Sequence, residues 1–203
     1  MKNKKEQRNI YLELEYIGTN YFGFQIQSKK NKKEVTVQEV LESCLVRLFN
    51  QYTRVNGAGR TDRGVHARGQ VVNFYTDSKI PLKNIKIALN SFLPKDIKIR
   101  KIKAMPLDFH ARFWAKFKYY RYSILNSKEA SVFSVDRLWH IPDELDLESM
   151  RKVARKMIGE KDFSIFAKDA ANYKTCARKV SEISIKKNSS VINIDIKASG
   201  FLR

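Results

Sequence analysis

The chain has 203 residues, of which 40 are Lys or Arg and 21 are Asp or Glu, leaving a formal charge of +19. An excess of that size points to a polyanionic partner, RNA above all, and the same balance would also arise in a soluble protein of a lysine-rich proteome. No apolar run reaches the roughly 18 residues of a membrane span, and Cys44 and Cys176 lie in no C-x-x-C pattern, which argues against a disulfide framework or a zinc site and for a cytoplasmic protein.

The N-terminal cations Lys2, Lys4, Lys5 and Arg8 read as a solvated tail. They lead into Ile10-Tyr11-Leu12-Glu13-Leu14-Glu15, whose alternation predicts a half-buried strand with Leu12, Leu14 and Tyr16 inward, not a signal-peptide core. Lys29, Lys30, Lys32 and Lys33 form a basic surface loop before Thr36-x-x-Glu39, a capping-box helix start. The helix carries Val37, Val40, Leu41, Cys44, Leu45 and Leu48 as its apolar stripe, with Cys44 a small core residue. Next comes Gly57-Ala58-Gly59-Arg60-Thr61-Asp62-Arg63-Gly64-Val65-His66, where three glycines surround one carboxylate flanked by arginines. A plain turn accounts for Gly beside Asp. The alternative is a loop that presents Asp62 for chemistry, with the plain turn favoured on these residues taken alone. A strand through Val71, Val72 and Phe74 follows, then a helix opened by Pro81 with Leu82, Ile85, Ala88, Leu89 and Phe92, and a strand with Ile97, Ile99 and Ile102 inward.

A second half begins near Met105 with a strand from Lys116 to Leu125. Its helix bears Leu147, Met150, Val153, Ala154, Met157 and Ile158, and Gly159 is placed as the C-terminal cap. Two alternating strands close the chain, one through Val180, Ile183 and Ile185 and the other through Ile192, Ile194 and Ile196, with Asn188-Ser189-Ser190 as the turn. The pattern predicts an α+β fold of two similar halves with mostly antiparallel sheet, residues 1–104 and 105–203. The histidines His66, His110 and His140 are scattered, with no ligand spacing and no nucleophile partner.

The string from Gly57 through Val65-His66-Ala67-Arg68-Gly69-Gln70-Val71-Val72-Asn73-Phe74 resembles the signature of the TruA-type tRNA pseudouridine synthases. The resemblance continues through Tyr16-Ile17-Gly18-Thr19, Tyr21-Phe22-Gly23-Phe24-Gln25-Ile26-Gln27, Thr36-Val37-Gln38, Ala88-Leu89-Asn90 and Leu93-Pro94. It runs on through Phe109-His110-Ala111-Arg112-Phe113, Tyr120-Arg121-Tyr122, Gly159-Glu160-Lys161-Asp162-Phe163 and the final Gly200-Phe201-Leu202-Arg203.

The resemblance implies two α/β halves around a basic RNA-binding cleft and conversion of uridine to pseudouridine at tRNA positions 38 to 40 in the anticodon stem-loop. It further implies no metal or small-molecule cofactor, no membrane, and a homodimer in which one tRNA touches both subunits. Asp62 of Gly59-Arg60-Thr61-Asp62 matches the catalytic aspartate. Arg60 matches the arginine that fills the space left by the flipped base, and Tyr120 the tyrosine that stacks on the uracil. One carboxylate suffices for this chemistry, as nucleophile or in a glycal-like route, with Arg60 or Arg63 favouring its ionised form. His66 either contacts RNA or hydrogen-bonds within the loop. His110 with Arg112 follows the family pattern or braces the two halves, and Gln25 and Gln27 read as cleft residues. Without the resemblance Tyr120, like Tyr119 and Tyr122, is an ordinary strand aromatic.

The chain departs from the pattern at Arg63, where the family usually has a small residue, and at its end. Similar proteins continue into a helix with a Met-Val-Arg element whose arginine pairs with the catalytic aspartate. The expectation is that Arg203 or another residue supplies that partner, or that the chain is a truncated form. A different class of reading follows from truncation, a catalytically inactive tRNA-binding or RNA-chaperone module. A metal-dependent nuclease lacks the clustered carboxylates that two-metal chemistry uses.

Overall fold

The computed structural model describes residues 7–27, 34–168 and 170–202, so Lys2, Lys4, Lys5, the Lys29–Lys33 cluster and Arg203 lie outside the described residues. The chain divides into two compact units, Met1–Ala115 and Lys116–Arg203. Both combine helices with mostly antiparallel sheet, so the fold is α+β.

In the first unit β1 (Arg8–Tyr16), α1 (Val37–Phe49), β2 (Asn56–Gly57), β3 (Ala67–Thr76), α2 (Leu82–Phe92) and β4 (Ile97–Met105) follow in chain order. The sheet order β2-β3-β1-β4 puts β1 in the middle. Ile10, Leu12 and Leu14 of β1 are wholly buried with Val72 and Phe74 of β3, Val37, Leu41 and Leu45 of α1, and Ile85 and Leu89 of α2. The period-2 and period-3.6 stripes read from the sequence thus meet in one core. Thr36 caps α1, its Oγ1 accepting from Glu39 N at 3.3 Å. Pro81 precedes α2, and its carbonyl accepts from Asn84 N and Ile85 N.

The opposite face of the sheet holds two buried asparagines under the segment 106–111. Asn9 Nδ2 donates to the carbonyls of Pro106 and Phe109, Asn73 Nδ2 donates to Asn9 Oδ1, and Ala111 N donates to Asn73 Oδ1 at 3.0 Å. Buried amides are tolerated when both of their ends are paired, and here the pairing fastens the segment after β4 to the first unit. A sequence-based boundary at 104/105 assigns that segment to the second half.

The second unit contains β5 (Lys118–Asn126), β6 (Trp139–Ile141), α3 (Leu147–Met157), β7 (Gly159–Asp162), β8 (Ala177–Asn188) and β9 (Val191–Ala198), in the order β6-β5-β9-β8-β7. Only β5 and β6 pair in parallel among the described strands. Asp146 caps α3 by accepting from Glu148 N and Ser149 N, which holds its carboxyl below the usual range. Gly159 follows α3 at φ 104°, where the sequence places the cap. The β8–β9 turn falls at Ser189-Ser190, with Ser189 rather than Asn188 at positive φ. Arg121 and Asp195 join β5 to β9 by a two-pronged ion pair of 2.7 and 2.9 Å. Among the described residues, no helix is long and apolar enough to cross a membrane.

Candidate active site

The loop carrying Asp62 joins the short strand β2 to β3, and its shape is imposed by contacts with a segment far earlier in the chain. Phe24 N donates to Thr61 O at 3.1 Å and Gly64 N donates to Tyr21 O at 3.2 Å, so residues 21–24 and 61–64 are stitched together on both sides of Asp62-Arg63. The approach is close enough that a side chain at Gly23, which sits at φ +85°, would overlap Thr61 O. Val65 N closes a tight turn onto Asp62 O. Tyr16 at the end of β1 reaches Thr61 Oγ1 with its hydroxyl at 2.8 Å, and its ring stacks at 6.4 Å on Phe24.

The far end of the loop is pinned by His66, whose Nδ1 accepts from Gly18 N at 2.9 Å. A Cβ at Gly18 would overlap the Val65 carbonyl, so the 16–18 turn and the loop touch backbone to backbone. Behind the segment, Tyr21 OH donates to Asp96 Oδ1 at 2.6 Å; burial, reinforced by that bond, holds its phenol above the ordinary tyrosine range.

A buried polar network underlies the same region. Gln38 of α1 accepts from Ile26 N and donates to Val55 O and Glu42 Oε1, while Glu42 also accepts from Val55 N at 2.9 Å. Tyr52 OH donates to Glu42 Oε2. The start of α1 thereby ties the 21–27 segment to the stretch entering β2.

The outcome is a rigid base under an exposed tip: Arg60, Asp62, Arg63 and His66 are all exposed. The Arg63 guanidinium lies over the Phe22 ring, 4.3 Å from its centroid. Gln25 and Gln27 sit on the 21–27 segment, Gln27 donating to Phe22 O. His110 accepts from Arg112 N through Nδ1 and packs its ring on Phe113 at 4.3 Å, within the turn that follows the segment over the asparagines.

In the second unit Tyr120 lies on β5 opposite Ile196 and is partly buried, its ring edge-on to Phe201 at 4.6 Å. Tyr119 and Tyr122 are exposed, Tyr122 meeting Trp139 edge-on at 5.9 Å.

The family model described as tRNA pseudouridine synthase matches residues 14–114 and 153–203, a span that takes in the end of β1, the whole Asp62 loop and the closing strands. The chain belongs to the tRNA pseudouridine synthase family. Similar curated proteins are the tRNA pseudouridine synthase A of Thermoanaerobacter sp. (strain X514), 44% identical over 96% of this chain and 78% of that protein, and that of Caldicellulosiruptor saccharolyticus, 45% identical over the same shares. The tRNA pseudouridine synthase A 2 of Clostridium perfringens is 40% identical, again over 96% of this chain and 78% of its own length.

Members of the tRNA pseudouridine synthase family are isomerases, and in this chain the loop holds Asp62 exposed on a backbone fixed by its neighbours. Among the described residues no three His, Cys, Asp or Glu side chains gather as a metal site. The sequence singles out Asp62, Arg60 and His66 on the loop, and in the structure all three are exposed, while Tyr120 lies on β5 of the second unit. Sequence reasoning treats Tyr16 only as an inward strand residue, and it gives no task of their own to Tyr21, Phe22, Gln38 or the acid Glu42. The signal available was two glycines, Gly18 and Gly23, set among aromatics directly after a strand, a mark of close backbone approach.

Proposed function

We propose that the protein isomerises uridine to pseudouridine at positions 38 to 40 of the tRNA anticodon stem-loop, with Asp62 as the nucleophile, acting as a cytoplasmic homodimer. The observation that carries this reading is the anchored loop, in which Tyr16, Phe24 and His66 fix the backbone around an exposed Asp62 in a chain of this family. A carboxylate oxygen of Asp62 bonds to C1′ as the bond between ribose C1′ and uracil N1 breaks, and it leaves again as C1′ bonds to C5. The freed base turns, C1′ bonds to C5, the C5 hydrogen leaves to solvent and N1 takes up a proton, so no oxidant is consumed.

A uridine inside structured RNA must first leave its stack. Arg60 fills the vacated space, and Tyr120 stacks on the extruded uracil, a contact worth about 1 to 3 kcal/mol per base. Replacing Tyr120 by Ala is therefore expected to lower kcat/KM by roughly tenfold or more.

Tritium release from transcribed tRNA labelled at uridine C5 tests the reading. The parent chain is expected to release tritium and Asp62→Asn to fall to background with the tRNA affinity preserved. Equal release by both would overturn the role of Asp62. Binding without release by either would move the assignment to a tRNA-binding module, and mapping the product residues checks the 38 to 40 position.

A further inference from the structure

Arg63 directly follows Asp62, so their Cα atoms are about 3.8 Å apart, and its guanidinium rests on the Phe22 ring. The two hydrogen bonds that bracket this pair, Phe24 N to Thr61 O and Gly64 N to Tyr21 O, fix the backbones of both partners. Phe22 is itself tethered by its N–H to Val35 O at 2.9 Å. Arg63 has its guanidinium carbon 4.3 Å from the Phe22 ring centroid, and a guanidinium supported in this way still has the fork of N–H donors that matches two oxygens of a phosphate. Arg63 is exposed, whereas Phe22 is partly buried, so the ring acts as the support and the cation as the contact. The other cation–aromatic pairs among the described residues lie away from the loop in sequence: Arg47 over Phe92 on the helices, Arg112 over Phe113 after β4, and Arg178 over Tyr173 and Lys197 over Phe117 and Tyr119 within the second unit.

We infer that Arg63, held on Phe22, is an RNA phosphate-binding residue that grips the backbone of a nucleotide adjoining the target uridine. The inference rests on the reading of Asp62 as the catalytic group, because only then does a cation one residue away lie beside the extruded nucleotide. A phosphate contact anchors register without reading sequence, so Arg63 acts on tRNA binding and not on bond breaking.

The test is tRNA binding as a function of salt, measured by filter retention in an Asp62→Asn background so that turnover does not intervene, alongside tritium release in the otherwise native chain. Losing one phosphate contact should make the slope of log K against log salt shallower by about 1. Arg63→Ala is expected to show that change together with a KM raised roughly fivefold to tenfold, a larger proportional effect than on kcat. Arg63→Lys should keep the slope, as should Phe22→Leu, which retains the charge while removing its support and weakens binding by a smaller factor. An unchanged slope with weaker binding in Arg63→Ala assigns the guanidinium to stacking on a base and overturns the phosphate contact. An unchanged slope with a lowered kcat makes it a brace of the loop and overturns it likewise. A parent that binds tRNA with an Arg63-dependent slope yet releases no tritium supports the contact while removing the catalytic reading.

Discussion

Asp62 is presented by a loop whose backbone is held by side chains from distant parts of the chain. Tyr16 is the clearest case, since its hydroxyl is the group that holds Thr61, the residue before the acid. Tyr16→Phe keeps the ring against Phe24 and removes the hydroxyl with its bond to Thr61, so we expect about 0.5 to 1.5 kcal/mol of lost stability and a larger proportional loss of kcat than rise in KM, read from steady-state kinetics and urea unfolding. Gly23→Ala meets both a positive φ and the Thr61 carbonyl; it should cost of order 1 to 3 kcal/mol and displace the loop, lowering kcat/KM in the tritium assay. Tyr21 contributes a pH dependence. Its phenol is held above the ordinary value by burial and by Asp96, so the stability it confers is complete below about pH 10, where an unfolded tyrosine titrates, and is lost as pH rises through the raised folded value. Alkaline unfolding followed by circular dichroism should accordingly be shallower in Tyr21→Phe than in the parent. Of these residues, Asp62 was legible in the sequence through its glycines and its family string, whereas the task of Tyr16 was not, because a strand tyrosine that faces the core looks the same whether or not its hydroxyl has a distant partner.

At the scale of elements, α1 does more than bury an apolar stripe. Val37, Leu41, Cys44 and Leu45 lie where the helical period places them, but Gln38 and Glu42 are buried beside them, at 7% and 4% exposure. A buried carboxylate persists only when its oxygens are paired, and Glu42 is paired with Gln38, Val55 and Tyr52. Glu42→Ala leaves the Val55 N–H without its acceptor and should destabilise the chain by about 2 to 4 kcal/mol, measured by chemical denaturation, with a parallel loss of activity because Val55 leads into β2 and the loop. Glu42 reads from the sequence as one more polar residue on a solvated face, since the helical period reports hydrophobicity and not which polar groups find buried partners. Element order and caps were more accessible: Thr36 was read as the start of α1 and caps it, Gly159, read as the cap of α3, follows the actual cap Ile158 by one residue, and the expected ends of α1 and α3 agree with the structure to within a residue or two, whereas the Asp146 cap was not anticipated. The short strands β2, β6 and β7 were not anticipated, as segments of two to four residues have no period to detect and exist only by pairing with a neighbour.

Across the whole molecule the two units are built unequally. The first packs a continuous core around β1, while in the second the buried apolar residues are Ile124, Leu125, Ala154, Cys176, Val180, Ile192 and Ala198, and Phe133 and Ile165 are about nine-tenths exposed. Local opening is easiest where few apolar contacts hold the backbone. Amide exchange followed by mass spectrometry is therefore expected to be slowest in β1 and β3 and faster through β5, β8 and β9; equal protection in the two sheets would contradict it. The +19 charge belongs to this scale too, and it makes tRNA binding strongly dependent on ionic strength whatever the part played by any single cation.

The sequence by itself determined the α+β class, the order of the principal helices and strands, the family, and the position of the loop around Asp62. All of these follow from signals carried within a few residues, such as periodicity, caps, glycines and a contiguous motif. Tertiary structure alone decided what holds that loop: Tyr16 on Thr61, Gly18 on His66, Phe22 beneath Arg63, and the asparagine pair that fastens the segment after β4. Each of these contacts joins residues roughly 40 or more positions apart, where no local pattern specifies the partner and only the pairing of β1 with β3 and β4 brings the two ends within reach.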